Sequence, residues 1–236
     1  MNNEVKKLIE NVDGWLTDSE AETLYNLAKE CKGNGVIVEI GSWKGKSTIC
    51  LAKGSKDGKS VKIIAIDPHT GSAEHQSDKN KVWTFEEFKS NISKAGMEDI
   101  ITPIVKTSAE AAKEVSQAVE FVFIDGAHDY NSVKEDFELW FPKVIDGGII
   151  ALHDSTLWEG PKQVVKEYMV HSKNIKDIRF ADSITYGRKV KSNTLFDRLK
   201  NRYRRAKYFT SIRLWSWAER NKIPKPIRRL GRFFFS

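Results

Sequence analysis

The stretch 38-VEIGSWKGKST-48 decides how this chain is read. An apolar run, Val36 to Ile40, stops at Gly41. Gly45 and Lys46-Ser47 follow. The order is strand, glycine turn, helix. The punctuation is close to a phosphate-binding P-loop, which needs four residues between its first glycine and Gly-Lys-Ser. Only three separate Gly41 from Gly45. One residue matters, because such a loop wraps a phosphate with successive backbone N–H groups. The dinucleotide pattern G-x-G-x-x-G is absent as well.

Working outward, apolar runs alternate with amphipathic ones. Ser19 to Cys31 carries Ala21, Leu24, Leu27 and Ala28 at the spacing of one helix face, with Asp18 or Thr17 as its cap. The β run 36–40 precedes a helix over 45–54. Strand 61–67, helix 84–96 (closed by Gly96), strand 100–106 and helix 108–116 follow. Next come strand 119–125, helix 131–144, a turn at 146-DGG-148 and strand 149–154. Helix 161–170 and short strands near 176–180 and 183–187 complete the body. Near-continuous apolar strands separated by helices predict a parallel sheet covered on both faces. The fold class is α/β: Rossmann-like, doubly wound, with a mostly parallel seven-stranded sheet.

In such folds ligands bind beyond the carboxyl ends of the strands. Four strands end at or beside an acid: Glu39, Asp67, Asp125 and Asp154. Carboxylates repel phosphate, but they accept hydrogen bonds from ribose hydroxyls and attract a cationic amine. That chemistry suits S-adenosylmethionine, with its ribose diol, ammonium and sulfonium, better than ATP.

The motifs carry a resemblance. 39-EIGSWKGKS-47 resembles the first motif of class I S-adenosylmethionine-dependent methyltransferases, in the form of the catechol O-methyltransferase-like branch. 123-FIDGAHDY-130 and 147-GGIIALHDS-155 resemble later motifs of the bacterial "methyltransferase 24" group, which includes sugar O-methyltransferases. The resemblance spans roughly residues 15 to 188. It implies that Gly41, Ser42 and Gly45 approach the methionine moiety and that Ser47 binds its carboxylate. Glu39 matches the acid before the turn, Asp67 the ribose-binding acid, and Ser108 and Ala109 the segment beside adenine. Asp125 would face the methionine amine.

Asp125 and Asp154 also match carboxylates that hold a divalent metal. Mg²⁺ is an option, with His153 or Ser155 as third ligand; the catechol enzymes carry an Asn where Ser155 stands. Hard oxygen donors suit Mg²⁺ or Ca²⁺, and His153 leans toward a softer ion. His128 stands where the catechol enzymes carry a lysine base. A histidine titrates near neutrality and can take a proton from a hydroxyl. The catalytic candidates are therefore His128, Asp125 and Asp154. The polar loop from His69 to Trp83, with His75, is expected to lie over the site as a lid. Trp158 is either a stacking wall for a ring or a core residue.

Charge divides the chain. Of its 39 Lys and Arg, 16 lie at 188–236 with only 2 of its 32 acids, so that end carries +14 and the rest −7. Two domains are expected: a methyltransferase unit over 1–190 and a basic, amphipathic extension over 191–236. Basic helices with Trp and Phe suit an anionic membrane surface. Nucleic acid is the rival partner, and packing on the body or on a second copy in a homo-oligomer is the third reading. Two cysteines, Cys31 and Cys50, imply no disulfide framework. The polar N-terminus is no signal peptide, and no apolar run is long enough to span a membrane. A cytoplasmic location, peripheral at the inner face of the cell membrane, is expected.

The leading reading is O-methylation of a sugar, glycan or other small hydroxyl compound. The alternatives are an RNA methyltransferase using the basic tail, a nucleotide-binding protein, and a non-catalytic membrane-associated protein. The body lacks an N/D-P-P-Y motif for base amines, and the intact acidic set argues against decay.

Overall fold

The computed structural model describes residues 3–71 and 82–222. Its seven strands are β1 (Val36–Ile40), β2 (Ile63–Ile66), β3 (Ile101–Ile104), β4 (Val119–Ile124), β5 (Val144–Leu152), β6 (Ile175–Ala181) and β7 (Ile184–Lys189). They form one sheet in the order β3-β2-β1-β4-β5-β7-β6. The first five are parallel, whereas β7 runs antiparallel to β5 and β6 antiparallel to β7. Strand order reverses beside β1, so a crevice opens at the carboxyl ends of β1 and β4.

The helices are α1 (Asn3–Ile9), α2 (Asp18–Glu30), α3 (Lys46–Lys56), α4 (Phe85–Lys94), α5 (Ser108–Glu114), α6 (Tyr130–Trp140), α7 (Glu159–Val164) and α8 (Leu195–Arg220). They bury two apolar layers. One unites α1 to α4 with side chains such as Ile37, Phe121 and Phe123. The other unites α5 to α7 with Val38, Val122 and Ile150. Alternate residues of one strand thus serve opposite layers, as the two-residue period requires.

Local chemistry explains where the elements begin and end. Thr17 caps α2 through a capping box with Glu20, so the helix starts one residue before Ser19 and Asp18 is not the cap. Gly96 takes φ +65° just after α4, as expected of a closing glycine. α6 gives way to a 3₁₀ turn at Phe141–Lys143, because Pro142 has no N–H to continue the helix. β5 begins at Val144 rather than after the glycine pair. Its register with β4 slips between the Val119–Val144 and Phe121–Ile149 pairs, and Asp146–Gly148 is absorbed into the strand. α7 continues as a π-helical turn, Val165–Val170.

α8 closes the β6 edge of the sheet. Its fully buried Asn201 accepts from the Ile178 N–H and donates to the Ile175 carbonyl, each at 3.1 Å. Tyr208 stacks on Phe180 at 4.6 Å and donates its hydroxyl to the Asp182 carbonyl. No described helix is long and apolar enough to cross a membrane.

Candidate active site

β1 delivers the chain to a tight turn. Gly41 has φ +85°, and a Cβ there would lie 2.0 Å from the Asp125 carbonyl oxygen. Only glycine fits, because β1 and β4 leave in parallel with their backbones nearly touching. Asp67, at the end of β2, clamps this turn from the other side. One of its oxygens accepts from the Trp43 N–H at 2.7 Å, the other from the His69 N–H at 2.6 Å. Each carboxylate oxygen keeps a second lone pair for a ligand.

The turn borders a cavity of about 750 Å³ at the carboxyl ends of the strands. Gly41, Ser42, Ser47, Asp67, Ser108, Ala109 and Asp125 line it, together with His128, His153, Asp154 and Trp158. Two residues predicted to bind the cofactor do not. Gly45 has φ +90° at the start of α3 and backs onto Phe88 and Ile92 of α4. Glu39 is fully buried, because strand alternation turns it toward α3, where it accepts from Thr48 Oγ1 at 2.5 Å. Burial pushes its pKa up to about 8, and the charges of Asp125 and Asp67 add to the rise.

Acids and histidines converge across the pocket floor from β4, β5 and α2. His153 Nδ1 lies 3.0 Å from Asp125 Oδ1 and 3.1 Å from Asp154 Oδ2; its Nε2 lies 3.5 Å from Glu20 Oε2. No aligned hydrogen bond reaches either ring nitrogen, so the contacts are ionic. Burial opposes a charge on His153, but Asp125, Asp154 and Glu20 outweigh it and raise its pKa. Asp125 is raised, chiefly by burial and further by the charge of Asp154. Asp154 is lowered: burial works against this, but His128 and His153 prevail. Glu20 falls to about 2 against its own burial, held by His153, Ser183 and Thr17.

Asp154 adopts φ +52°, a left-handed conformation costly for a non-glycine residue. It sits just past β5, and the twist aims its carboxylate at both histidines. His128 Nε2 meets Asp154 Oδ2 at 3.0 Å. The His128 ring stacks on Trp158 with centroids 4.5 Å apart and planes at 10°. Trp158 is a half-exposed wall of the pocket, not a core residue. Ser155 faces away from the cluster: its buried hydroxyl bonds to the Ser183 carbonyl and to Thr185. Among the described residues, Asp125, His153 and Asp154 each bring one ligand atom within 4.8 Å of the others. Two carboxylate oxygens and one ring nitrogen suit a divalent cation that takes the place of the His153 proton, with His153 rather than Ser155 as the third donor.

His69 does not reach the pocket. It is buried against Phe85 and Phe88, with Nδ1 2.9 Å from Thr84 Oγ1. The base of the expected lid is thus anchored in the core; His75 lies outside the described residues. Sequence reading also missed several residues here. Asp13 to Leu16 form part of the wall, and Trp15 sits 6.2 Å from Trp43. Asp136 of α6 enters the pocket beside Ser108, and burial pushes it to about 6. Its one sequence signal was an acid on the otherwise apolar face of α6, with Val133, Phe137 and Trp140.

The family of methyltransferase domains called Methyltransf_24 matches residues 38–155, from β1 to the end of the acidic cluster. The chain belongs to this family, and its fold is that of the class I S-adenosylmethionine-dependent methyltransferases. Protein R132 of Acanthamoeba polyphaga mimivirus is 29% identical over 164 residues, which span 68% of this chain and 70% of that protein. The O-methyltransferase NovP shares the fold with a TM-score of 0.63 at 16% identity, over 73% of this chain and 80% of its own. TomG of Streptomyces achromogenes, an O-methyltransferase of tomaymycin synthesis solved with S-adenosylmethionine, gives 0.58 at 16% identity, over 80% and 91%.

Proposed function

We propose that this methyltransferase takes its methyl group from S-adenosylmethionine and delivers it to a hydroxyl oxygen of a small acceptor, with a sugar or glycan unit as the favoured class. The observation that carries the reading is His128, gripped by Asp154 and stacked on Trp158 at the wall of a pocket that begins at the Gly41 turn. The catalytic unit in this reading is 1–190. The extension over 191–236 is assigned to an anionic membrane surface at the cytoplasmic face rather than to nucleic acid.

The pocket fits the cofactor. Beside the Gly41 turn, the buried Ser42 hydroxyl has no protein partner and is left for a ligand. S-adenosylmethionine supplies an electrophilic methyl on a sulfonium. Asp67 would accept from the ribose hydroxyls, Ser47 would donate to the carboxylate, and Ser108 and Ala109 would flank the adenine. Asp125 would accept from the ammonium. Asp125, His153 and Asp154 would hold a divalent cation, which would lower the pKa of the acceptor hydroxyl.

The chain's own contribution to the step is positional. With Nε2–H donating to Asp154, His128 Nδ1 takes the acceptor proton, and the paired carboxylate stabilises the resulting imidazolium. Trp158, stacked on the imidazole, holds the ring plane in one orientation.

Incubation with radiolabelled S-adenosylmethionine and a panel of sugars, phenols and RNA tests the reading. Label in an alkali-stable methyl ether, lost in His128→Ala, supports it. Label in RNA base amines, or none with any acceptor despite cofactor binding, contradicts it.

A further inference from the structure

Helix α8 is amphipathic the wrong way round. A helix docked on a body ordinarily turns its apolar stripe inward. The inward side of α8 instead carries Asn201, Arg204 and Tyr208, which bond to the carbonyls of Ile175, Ile178 and Asp182. The outward side carries Phe196, Leu199, Tyr203, Leu214 and Trp217, exposed by 73%, 52%, 66%, 45% and 53%. Their spacing follows one face of a helix. Exposed Arg202, Arg213 and Arg220 border this stripe. The only acids of α8, Asp197 and Glu219, fall on the other side by the helical period.

We propose that this outward face of α8 is a docking surface for an anionic phospholipid bilayer. Large apolar side chains rimmed by arginines and free of carboxylates match the boundary between acyl chains and acidic headgroups. A polyanion such as RNA would use the arginines, but gives no role to Phe196, Leu199 and Leu214. A second copy of the chain would press two arginine-rimmed faces together.

The direction of α8 links this surface to the pocket. Asn201 lies beside Ile175 and Tyr208 beside Asp182, so the helix runs with β6 toward the carboxyl ends of the strands. From Tyr208 to Arg220 it continues for roughly 18 Å. A bilayer along its outward face therefore passes alongside the pocket end of the molecule. Resting on the methyltransferase reading, the acceptor is then a hydroxyl compound held in or on the membrane.

The test is co-sedimentation of the full chain with phosphatidylcholine vesicles, with and without phosphatidylglycerol. The expected result is binding to the anionic vesicles only. Leu199→Ser with Trp217→Ser, and separately Arg202→Glu with Arg213→Glu, should each weaken it by about tenfold or more. Thermal melting and S-adenosylhomocysteine binding should stay unchanged, and the latter reports on the methyltransferase reading independently. Equal binding to neutral vesicles, no binding to either, or full binding by both variants overturns the proposal. So does tighter binding of an RNA oligomer that the apolar pair leaves intact, or a dimer in solution that this pair dissolves.

Discussion

His128 Nε2 stands 3.0 Å from Asp154 Oδ2, and the same Asp154 oxygen lies 3.1 Å from His153 Nδ1. One carboxylate thus orients two imidazoles with different surroundings. His153 is sealed in the floor, whereas His128 stands in the pocket wall.

His128→Ala should cut kcat by roughly 10²- to 10⁴-fold, the usual worth of a positioned base. S-adenosylhomocysteine affinity should not change, since the proposed mechanism gives the ring to the acceptor and not to the cofactor. Asp154→Asn should lower kcat as well and alter the pH dependence of kcat/KM. Steady-state kinetics with both substrates varied separates the two; a pure KM effect in His128→Ala would remove it from the chemistry.

Glu39 predicts an inverse pH effect on stability. Its folded pKa, about 8, lies above the ordinary carboxylate value of 4.5 because it is buried. The unfolded chain releases the proton near pH 4.5 while the folded chain holds it, so stability falls as pH rises from there to about 8. Glu39→Gln removes the penalty. Its advantage over the parent should be small at pH 5 and about 4 kcal/mol larger at pH 9. Urea titrations at both values check this; a variant less stable at pH 9 would show that the ionised carboxylate is wanted.

Glu20 has the opposite sign. Its pKa is depressed from 4.5 to about 2, so its stabilising effect is complete above pH 4.5 and drains away as pH falls toward 2. Glu20→Gln should cost about 1–3 kcal/mol at pH 7, through the bonds to Ser183 and Thr17 and the charge beside His153. The cost should shrink near pH 3. Melting curves that show the same loss at both pH values would place the effect in packing rather than charge.

Gly41→Ala should abolish soluble, folded protein or cost more than about 3 kcal/mol, since its Cβ would meet the Asp125 carbonyl at 2.0 Å in a left-handed turn. Gly96→Ala is the control: that glycine also has positive φ, but nothing lies within 4 Å of the added carbon, so about 1 kcal/mol is expected. Circular dichroism of the pair distinguishes backbone collision from φ strain alone.

These residues also show what the sequence could reveal. The strand over 36–40 was legible to the residue, because five apolar or framing residues run unbroken into a glycine. So were three of the four strand-end acids, Asp67, Asp125 and Asp154, since a parallel sheet sends its carboxyl ends to one crevice. α1 was not legible: in Met1–Glu10 charge hides the few apolar positions, and only tertiary packing buries Val5 and Ile9. Glu20 read as an ordinary acid near a helix start, and nothing local shows that it crosses to His153 from 133 residues away in sequence. Gly45 and Glu39 read as pocket residues because motif order gives position but not the side of the strand or turn that faces the ligand. The outward apolar face of α8 has the period of a docked helix, so sequence alone does not say which face is inside.

The most direct test of the central claim is isothermal titration of the purified chain with S-adenosylhomocysteine, alongside ATP, with and without Mg²⁺. Micromolar binding of S-adenosylhomocysteine, abolished in Asp67→Ala and indifferent to ATP, is the predicted result. Binding of ATP alone would mean that the Gly41 turn cradles phosphate, and would contradict the account at its base.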